Sequence, residues 1–211
     1  MLAETTLLTK VAMLLACCML VGAGGTFLGR NVRSLGAFIG LAILFIAGTI
    51  AVYFAAAVSP GVGVAVLMVW TFISGLFIGP AVQAYADRLG WQTVCLAYAG
   101  TAGVMAITGG VGMFSGVDFS GMGTYLMFGL FGLIIAGVVG IFVRMSRTVN
   151  IVYSLIGMVV FAGYFIFDFF RLSQSVNTWE SAVRLTMTIY LDFMNFFLYL
   201  LQFLAAVSDK S

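Results

Sequence analysis

The feature that most constrains the fold is a series of long apolar runs separated by short charged clusters. Of the 211 residues, 63% are hydrophobic and only 8% are charged. Each run is long enough to cross a hydrocarbon core of about 30 Å as a helix that rises about 1.5 Å per residue. The seven runs lie at about residues 8–29, 35–58, 62–86, 91–113, 122–143, 149–170 and 184–207. We therefore predict an all-α polytopic membrane protein, in which residues 1–211 form a single domain of seven transmembrane helices in contact with the lipid bilayer.

Composition also excludes several function classes. The net charge of +2 is too small to predict nucleic-acid binding, and there is no soluble segment to which a nucleic acid could dock. The sequence has no histidine, which removes the commonest general base and the commonest soft-metal ligand. Its three cysteines are odd in number and predict no disulfide framework. We therefore expect no enzymatic activity and no cofactor.

Two aspartates lie inside the last two apolar runs, Asp168 in the sixth and Asp192 in the seventh. A carboxylate inside a bilayer costs about 2.5 kcal/mol or more, so an intramembrane acid predicts a functional site by default. The midpoint between the two aspartates is Glu180, next to the polar connection at residues 172–179. Residues equidistant from the turn of an antiparallel helical hairpin lie at similar depth. We therefore expect the two carboxyl groups at one level, within hydrogen-bond reach directly or through one water.

Polar residues recur at steps of three and four along both helices, as on one face of a helix. In the seventh run they are Ser181, Arg184, Thr188, Asp192, Asn195, Tyr199 and Gln202. In the sixth run they are Asn150, Ser154, Gly157, Tyr164, Asp168 and Arg171, with Phe161 as the apolar exception. A polar stripe in lipid must face protein or water. We therefore expect the seventh helix to lie centrally.

Two interpretations of the aspartate pair follow from the residues. The carboxyl groups could simply complete a hydrogen-bond network or pair with an arginine. Alternatively, two close carboxylates in a low dielectric cannot both ionise cheaply, so the pair would share a proton near neutral pH and respond to pH. When both are ionised, they offer hard oxygen ligands for Ca²⁺ or another cation. An intramembrane aspartyl protease is not indicated, because its Gly-x-Gly-Asp context is missing before Asp192.

Residues 190–197, which include Asp192 and Asn195, closely resemble the last helix of the Bax-inhibitor family, the transmembrane Bax-inhibitor-motif proteins with their bacterial members. The helix is followed by a short polar tail at residues 208–211. The resemblance extends to Asp168 at the family's spacing, to residues 72–80 in the third run and, more weakly, to residues 118–120. It covers nearly the whole chain, although only the paired-aspartate motif of the seventh helix is specific.

The resemblance implies a seven-helix fold with the last helix central and three-helix layers around it. It implies a pH-sensitive Ca²⁺ leak in which Asp168 and Asp192 are the sensor and part of the ion path, with Ca²⁺ as the transported or bound ion. Beside them we expect Asn195, Tyr190 and Thr188 to orient the two carboxyl groups.

The second run departs from the family pattern. Family members can carry there an acid and an arginine that latch to the aspartate of the sixth helix, whereas residues 35–58 contain no charged residue. Arg171, one turn beyond Asp168, could take the place of this latch, or its long side chain could extend to the interface.

The sequence supports two opposite orientations of the chain in the membrane. Counting three basic residues on the N-terminal side against six on the other places the N-terminus outside, whereas the resemblance implies a cytoplasmic N-terminus. We favour the family orientation, in a bacterial inner membrane.

The alternative function is a membrane-embedded regulator that binds another membrane protein, such as a quality-control protease or a cell-death partner, with structural aspartates.

Overall fold

The structure is a computed structural model that describes residues 5–208. Within this range the chain forms seven α-helices and no β-strand. The helices are α1 (Leu7–Gly29), α2 (Leu35–Val58), α3 (Pro60–Leu89), α4 (Trp91–Phe114), α5 (Met122–Phe142), α6 (Arg147–Gln174) and α7 (Trp179–Ser208). All seven are long and apolar enough to cross a membrane, which confirms the predicted fold class. The polar tail lies, from residue 209 onwards, outside the described residues.

Local signals set the helix ends. Ser59 accepts a hydrogen bond from the amide of Val62 at 3.3 Å, and Pro60 stands at the first position of α3, where its missing N–H costs nothing. Gly90 separates α3 from α4 with a φ of 81°, a conformation that favours glycine. Thr178 caps α7 by accepting a hydrogen bond from the amide of Ser181 at 3.0 Å.

Helices α6 and α7 are longer than their apolar runs. The predicted runs end at residue 170 and begin again at 184, whereas α6 continues to Gln174 and α7 begins at Trp179. The broad polar connection expected at residues 172–179 is therefore wrong, and only residues 175–178 lie between the helices. The reason is that backbone hydrogen bonds and the Thr178 cap end these helices, while hydropathy marks only where the lipid core ends.

The chain forms two compact units. The first contains residues up to 84 together with 174–190, and the second contains residues 85–173 together with those from 191 onwards. In the first unit, α1 and α3 pack with their backbones in contact, because Gly25 and Gly75 face each other: a Cβ on Gly75 would lie 3.0 Å from the Gly25 Cα. Small residues permit such close helix approach in a membrane.

Helix α7 contributes to both units, its N-terminal part to the first and its C-terminal part to the second. In the most apolar stretch of 18 residues in each helix, 44% of the residues are buried in α7, the largest share among the seven helices, compared with 6% in α2. This burial is what a central helix requires, so the lipid-facing surface is supplied mainly by other helices. The single-domain prediction stays a prediction.

Candidate functional site

The two intramembrane aspartates lie together in the second unit. Asp168 on α6 is 2% exposed and Asp192 on α7 is 8% exposed. The carboxyl group of Asp192 lies within hydrogen-bond reach of the Asp168 carboxyl. The predicted proximity of the two side chains is therefore what the structure shows. Two carboxyl groups this close can form a hydrogen bond with each other only when one of them carries a proton, because two ionised carboxylates only accept hydrogen bonds.

One guanidinium group lies beside this pair. Arg171 Nη1 is 3.3 Å from Asp168 Oδ1, in an ion pair formed one turn apart on α6. The Arg171 side chain is 49% exposed, so its charged head reaches outwards while it contacts the buried carboxylate. Arg171 also lies within electrostatic range of Asp192. With both carboxyl groups ionised, the three groups carry one net negative charge, which one proton or one passing cation would offset.

A second observation concerns one carboxyl oxygen of Asp192. Its Oδ2 atom is buried and has no hydrogen-bond partner in the part of the chain that the structure describes. Leaving a buried polar atom unpaired costs about 1–3 kcal/mol, and more when the group is charged. An oxygen in this state favours binding a proton or a cation, which is the chemistry expected of a sensor.

Aromatic side chains pack between the helices near the pair. Phe165 of α6 packs on Phe196 of α7 with their ring centroids 5.8 Å apart. Tyr98 of α4 contacts Phe193 and Phe197 edge-on, at centroid distances of 4.8 and 5.3 Å. These rings cover the hydrophobic face of α7 on either side of Asp192. Asp192 itself is 8% exposed, and burial of this extent strengthens electrostatic interactions within the site.

Sequence reasoning missed two contributors. Tyr164 belongs to the predicted polar stripe of α6, but the sequence gives it no role in the site. In the structure it lies within electrostatic range of both carboxyl groups. Gly112 of α4 approaches the backbone of α6 so closely that an added Cβ would lie 2.9 Å from the Ile166 carbonyl carbon. The tyrosine could have been found from its position one turn before Asp168. Nothing local to the sequence signals the Gly112 contact.

The three residues expected to orient the carboxyl groups make hydrogen bonds elsewhere. The Thr188 hydroxyl donates to the Leu185 carbonyl at 3.1 Å, and the Asn195 amide donates to the Leu191 carbonyl at 2.8 Å. The Tyr190 hydroxyl pairs with that of Ser74 on α3 at 3.0 Å. The first two bonds stay within α7, and the third fastens α7 to α3. The orienting role of these residues stays a prediction.

The polar stripe continues beyond the pair, towards the C-terminal end of α7. The Tyr153 and Tyr199 hydroxyls are 3.0 Å apart, and Tyr153 donates to the Leu133 carbonyl at 3.0 Å. Gln202 donates to Asn150 at 3.3 Å. Polar side chains of α6 and α7 therefore meet over several turns, as the spacing predicts.

A metal ion held at Asp168 and Asp192 would need further ligands. Among the described residues, no group of three or more acidic, cysteine or histidine side chains could hold an ion. Ca²⁺ takes about six to eight oxygen ligands, more than the oxygens of two carboxyl groups. A Ca²⁺ ion at Asp168 and Asp192 would therefore also need carbonyl or water oxygens.

Asp118 provides a contrast to the pair. It lies in the connection between α4 and α5, fully exposed, and accepts a hydrogen bond from the Ser120 amide at 2.8 Å. That bond holds the pKa of the Asp118 carboxyl below its ordinary value of 3.8. Asp118 is thus a charged surface carboxylate near neutral pH.

One protein-family model matches nearly the whole chain. A family model described as "Inhibitor of apoptosis-promoting Bax1" matches residues 4–209. An uncharacterised protein of Borreliella burgdorferi is 29% identical over 155 residues, covering 70% of this chain and 65% of that protein. Bax inhibitor 1 of Schizosaccharomyces pombe is 27% identical over 144 residues, covering 68% and 52% respectively.

A viral relative matches over a shorter stretch. The Golgi anti-apoptotic protein of vaccinia virus is 40% identical over 93 residues, covering 44% of this chain and 38% of that protein. In these three relatives the match extends over less than two thirds of the protein's own length.

Proposed function

The chain belongs to the Bax-inhibitor family, and from this premise we propose that it is a pH-sensitive calcium leak gated by Asp168 and Asp192. The observation that carries the proposal is the buried contact between these two carboxyl groups, with the Arg171 guanidinium group beside them. Their charge changes when one proton binds or leaves. The role proposed is that of a passive, non-enzymatic channel.

The pH dependence follows from ligand chemistry. With a proton shared between Asp168 and Asp192, the pair is close to neutral once the Arg171 charge is included, and it attracts a cation weakly. As pH rises and the proton leaves, two ionised carboxylates repel each other and present hard oxygen ligands to Ca²⁺. Lowering the pH should therefore weaken Ca²⁺ binding at the pair, and flux should respond to pH near neutrality.

The test is Ca²⁺ flux into liposomes that contain the purified full chain, measured with an enclosed dye on both sides of neutral pH. Asp192→Asn removes one titrating carboxyl group while preserving its shape, and it should abolish the pH response. Asp118→Asn is the matched control, because it removes a carboxylate that is exposed and far from titration in this range. If Asp192→Asn retains the full pH response, the sensor lies elsewhere in the protein.

A second candidate function is favoured by the names of two relatives. Bax inhibitor 1 and the Golgi anti-apoptotic protein are named for effects on cell death. In this alternative the chain binds another membrane protein, such as a quality-control protease or a cell-death partner, and its aspartates are structural. Liposomes that contain only the purified chain separate the two functions, because a regulator alone would pass no Ca²⁺ at any pH.

The protein is an integral membrane protein, and we propose the bacterial inner membrane as its location. The bacterial relative supports this assignment. The proposed orientation has a cytoplasmic N-terminus and, with seven crossings, the end of α7 on the opposite side.

A further inference from the structure

A cavity of about 410 Å³ lies within the second unit, where α5 ends, α6 begins and α7 ends. It is separate from the aspartate pair along α6, because its lining stops at Tyr153 while Asp168 lies four turns further on. Its polar lining consists of Arg144, Asn150, Tyr153 and Gln202. Its volume falls within the range of small-ligand sites.

The cavity is basic. Arg144 lies in the exposed connection between α5 and α6, and among the described residues it takes part in no ion pair. In the sequence there is no acid between Asp118 and Asp168, and none in α7 after Asp192. The Arg144 charge is therefore not offset locally by any described side chain.

The neighbouring arginine explains why the connection is held in place. Arg147 donates to the carbonyls of Ala206 and Val207 at 2.9 and 3.0 Å. These are terminal carbonyls of α7, which have no partner within the helix. Arg147 thereby fixes the start of α6 to the end of α7, and Arg144 is carried on a segment anchored at that point.

Amide groups add hydrogen-bond donors. Gln202 Nε2 donates to Asn150 Oδ1 at 3.3 Å, and Asn150 Nδ2 donates to the Met145 carbonyl at 3.4 Å. Each amide nitrogen carries two hydrogens, so each retains a second donor for a ligand. The Asn150–Gln202 bond also fixes which way the two amides point.

Two glycines of α5 keep the space open. A Cβ on Gly137 would lie 3.0 Å from the Tyr153 hydroxyl, and a Cβ on Gly140 would lie 2.5 Å from the Met145 methyl carbon. Any larger residue at these positions would press on the cavity wall.

We propose that this cavity binds a phosphate group, supplied either by the headgroup of an anionic phospholipid or by free inorganic phosphate. The planar guanidinium of Arg144 can offer a phosphate two parallel hydrogen bonds, and the amides can complete the contact. Basic pockets between membrane helices can bind anionic headgroups, and in the orientation proposed above this cavity would face the headgroups of the non-cytoplasmic leaflet. The inference does not depend on the proposed leak.

The lipid arm of the test uses the full chain in nanodiscs of phosphatidylcholine with a minor fraction of phosphatidylglycerol. Lipid retained by the protein is measured by native mass spectrometry. A charge-assisted hydrogen bond contributes about 1.5–3 kcal/mol, so Arg144→Gln should weaken phosphatidylglycerol binding about tenfold or more. Arg33→Gln is the matched control, since Arg33 is also an exposed loop arginine but does not line the cavity. It should leave binding unchanged.

The free-ion arm uses nanodiscs of phosphatidylcholine alone and titrates inorganic phosphate while the unfolding temperature is measured. A rise in the wild type that is lost in Arg144→Gln supports free phosphate as the ligand, and retention of phosphatidylglycerol alone supports the lipid. Gln202→Leu removes one amide donor, and it should weaken whichever ligand binds.

Equal binding by the wild type, Arg144→Gln and Arg33→Gln in both arms overturns the proposal.

Discussion

Replacing Gly112 with alanine should destabilise the protein and displace the part of α6 that carries Asp168. The added Cβ would lie 2.9 Å from the Ile166 carbonyl carbon and 3.1 Å from its Cα. Carbon atoms pack best at about 3.5–4.0 Å, so the two backbones would have to separate by roughly 0.6 Å or more. A side chain could rotate away from the new methyl group, whereas the backbone of α6 cannot.

The magnitude comes from comparison with Gly110→Ala on the same helix. Gly110 has nothing within 4 Å of an added Cβ, so alanine there meets open space. Both substitutions gain the same helix propensity, roughly 0.5–1 kcal/mol, and this gain cancels in the comparison. The remaining difference is the overpacking cost, about 1–3 kcal/mol. Because the contact is with backbone, we expect the upper part of this range.

The assay is reversible unfolding in mixed micelles by titration with dodecyl sulfate, followed by tryptophan fluorescence. Gly112→Ala should unfold at lower dodecyl sulfate than Gly110→Ala, and Gly110→Ala should match or exceed the wild type. Equal unfolding free energies for the two variants would refute the close backbone approach of α4 to α6. A pH response of Ca²⁺ flux that changes only in Gly112→Ala would further link this contact to the aspartate pair.

Three other substitutions test separate contacts. Arg171→Gln removes the positive charge 3.3 Å from Asp168, so the proton should be held to higher pH and the midpoint of the flux response should move upwards without disappearing. Tyr190→Phe loses the 3.0 Å hydrogen bond to Ser74 and should lower the unfolding free energy by about 0.6–1.7 kcal/mol in the same micelle titration. Hydrogen bonding depresses the pKa of the fully exposed Asp118, so its small stabilising contribution should be lost only as pH falls below about 3.8; asparagine keeps an oxygen that accepts from the Ser120 amide, so Asp118→Asn should leave the unfolding free energy near neutral pH almost unchanged.

The number of helices and the proximity of the aspartates could be predicted from the sequence for simple reasons. An apolar run of sufficient length has few folds available in a bilayer, because every backbone hydrogen bond must be made within it. Two residues equidistant from one tight turn must lie at similar depth, which brought Asp168 and Asp192 together. Both arguments use only distance along the chain.

The contacts that complete the site could not be predicted in this way. Gly112 and Tyr98 reach it from α4, and their positions depend on how α4 packs against α6 and α7. The same is true of the residues predicted to orient the two carboxyl groups. Thr188 and Asn195 lie on the correct stripe, but their side chains bond to carbonyls of their own helix. A stripe identifies a face of a helix and leaves the individual partners undetermined.

Arg171 and the two aspartates are distributed unequally over α6 and α7. Arg171 and Asp168 are both on α6, one turn apart, so their ion pair cannot hold two helices together. The contact between Asp168 and Asp192, in contrast, joins α6 to α7. Sharing one proton makes that contact attractive, and losing the proton makes it repulsive. Under the proposed function, protonation would act directly on the contact between α6 and α7, since α2 has no charge to form a latch, and Arg171 would shift the pH at which it does so.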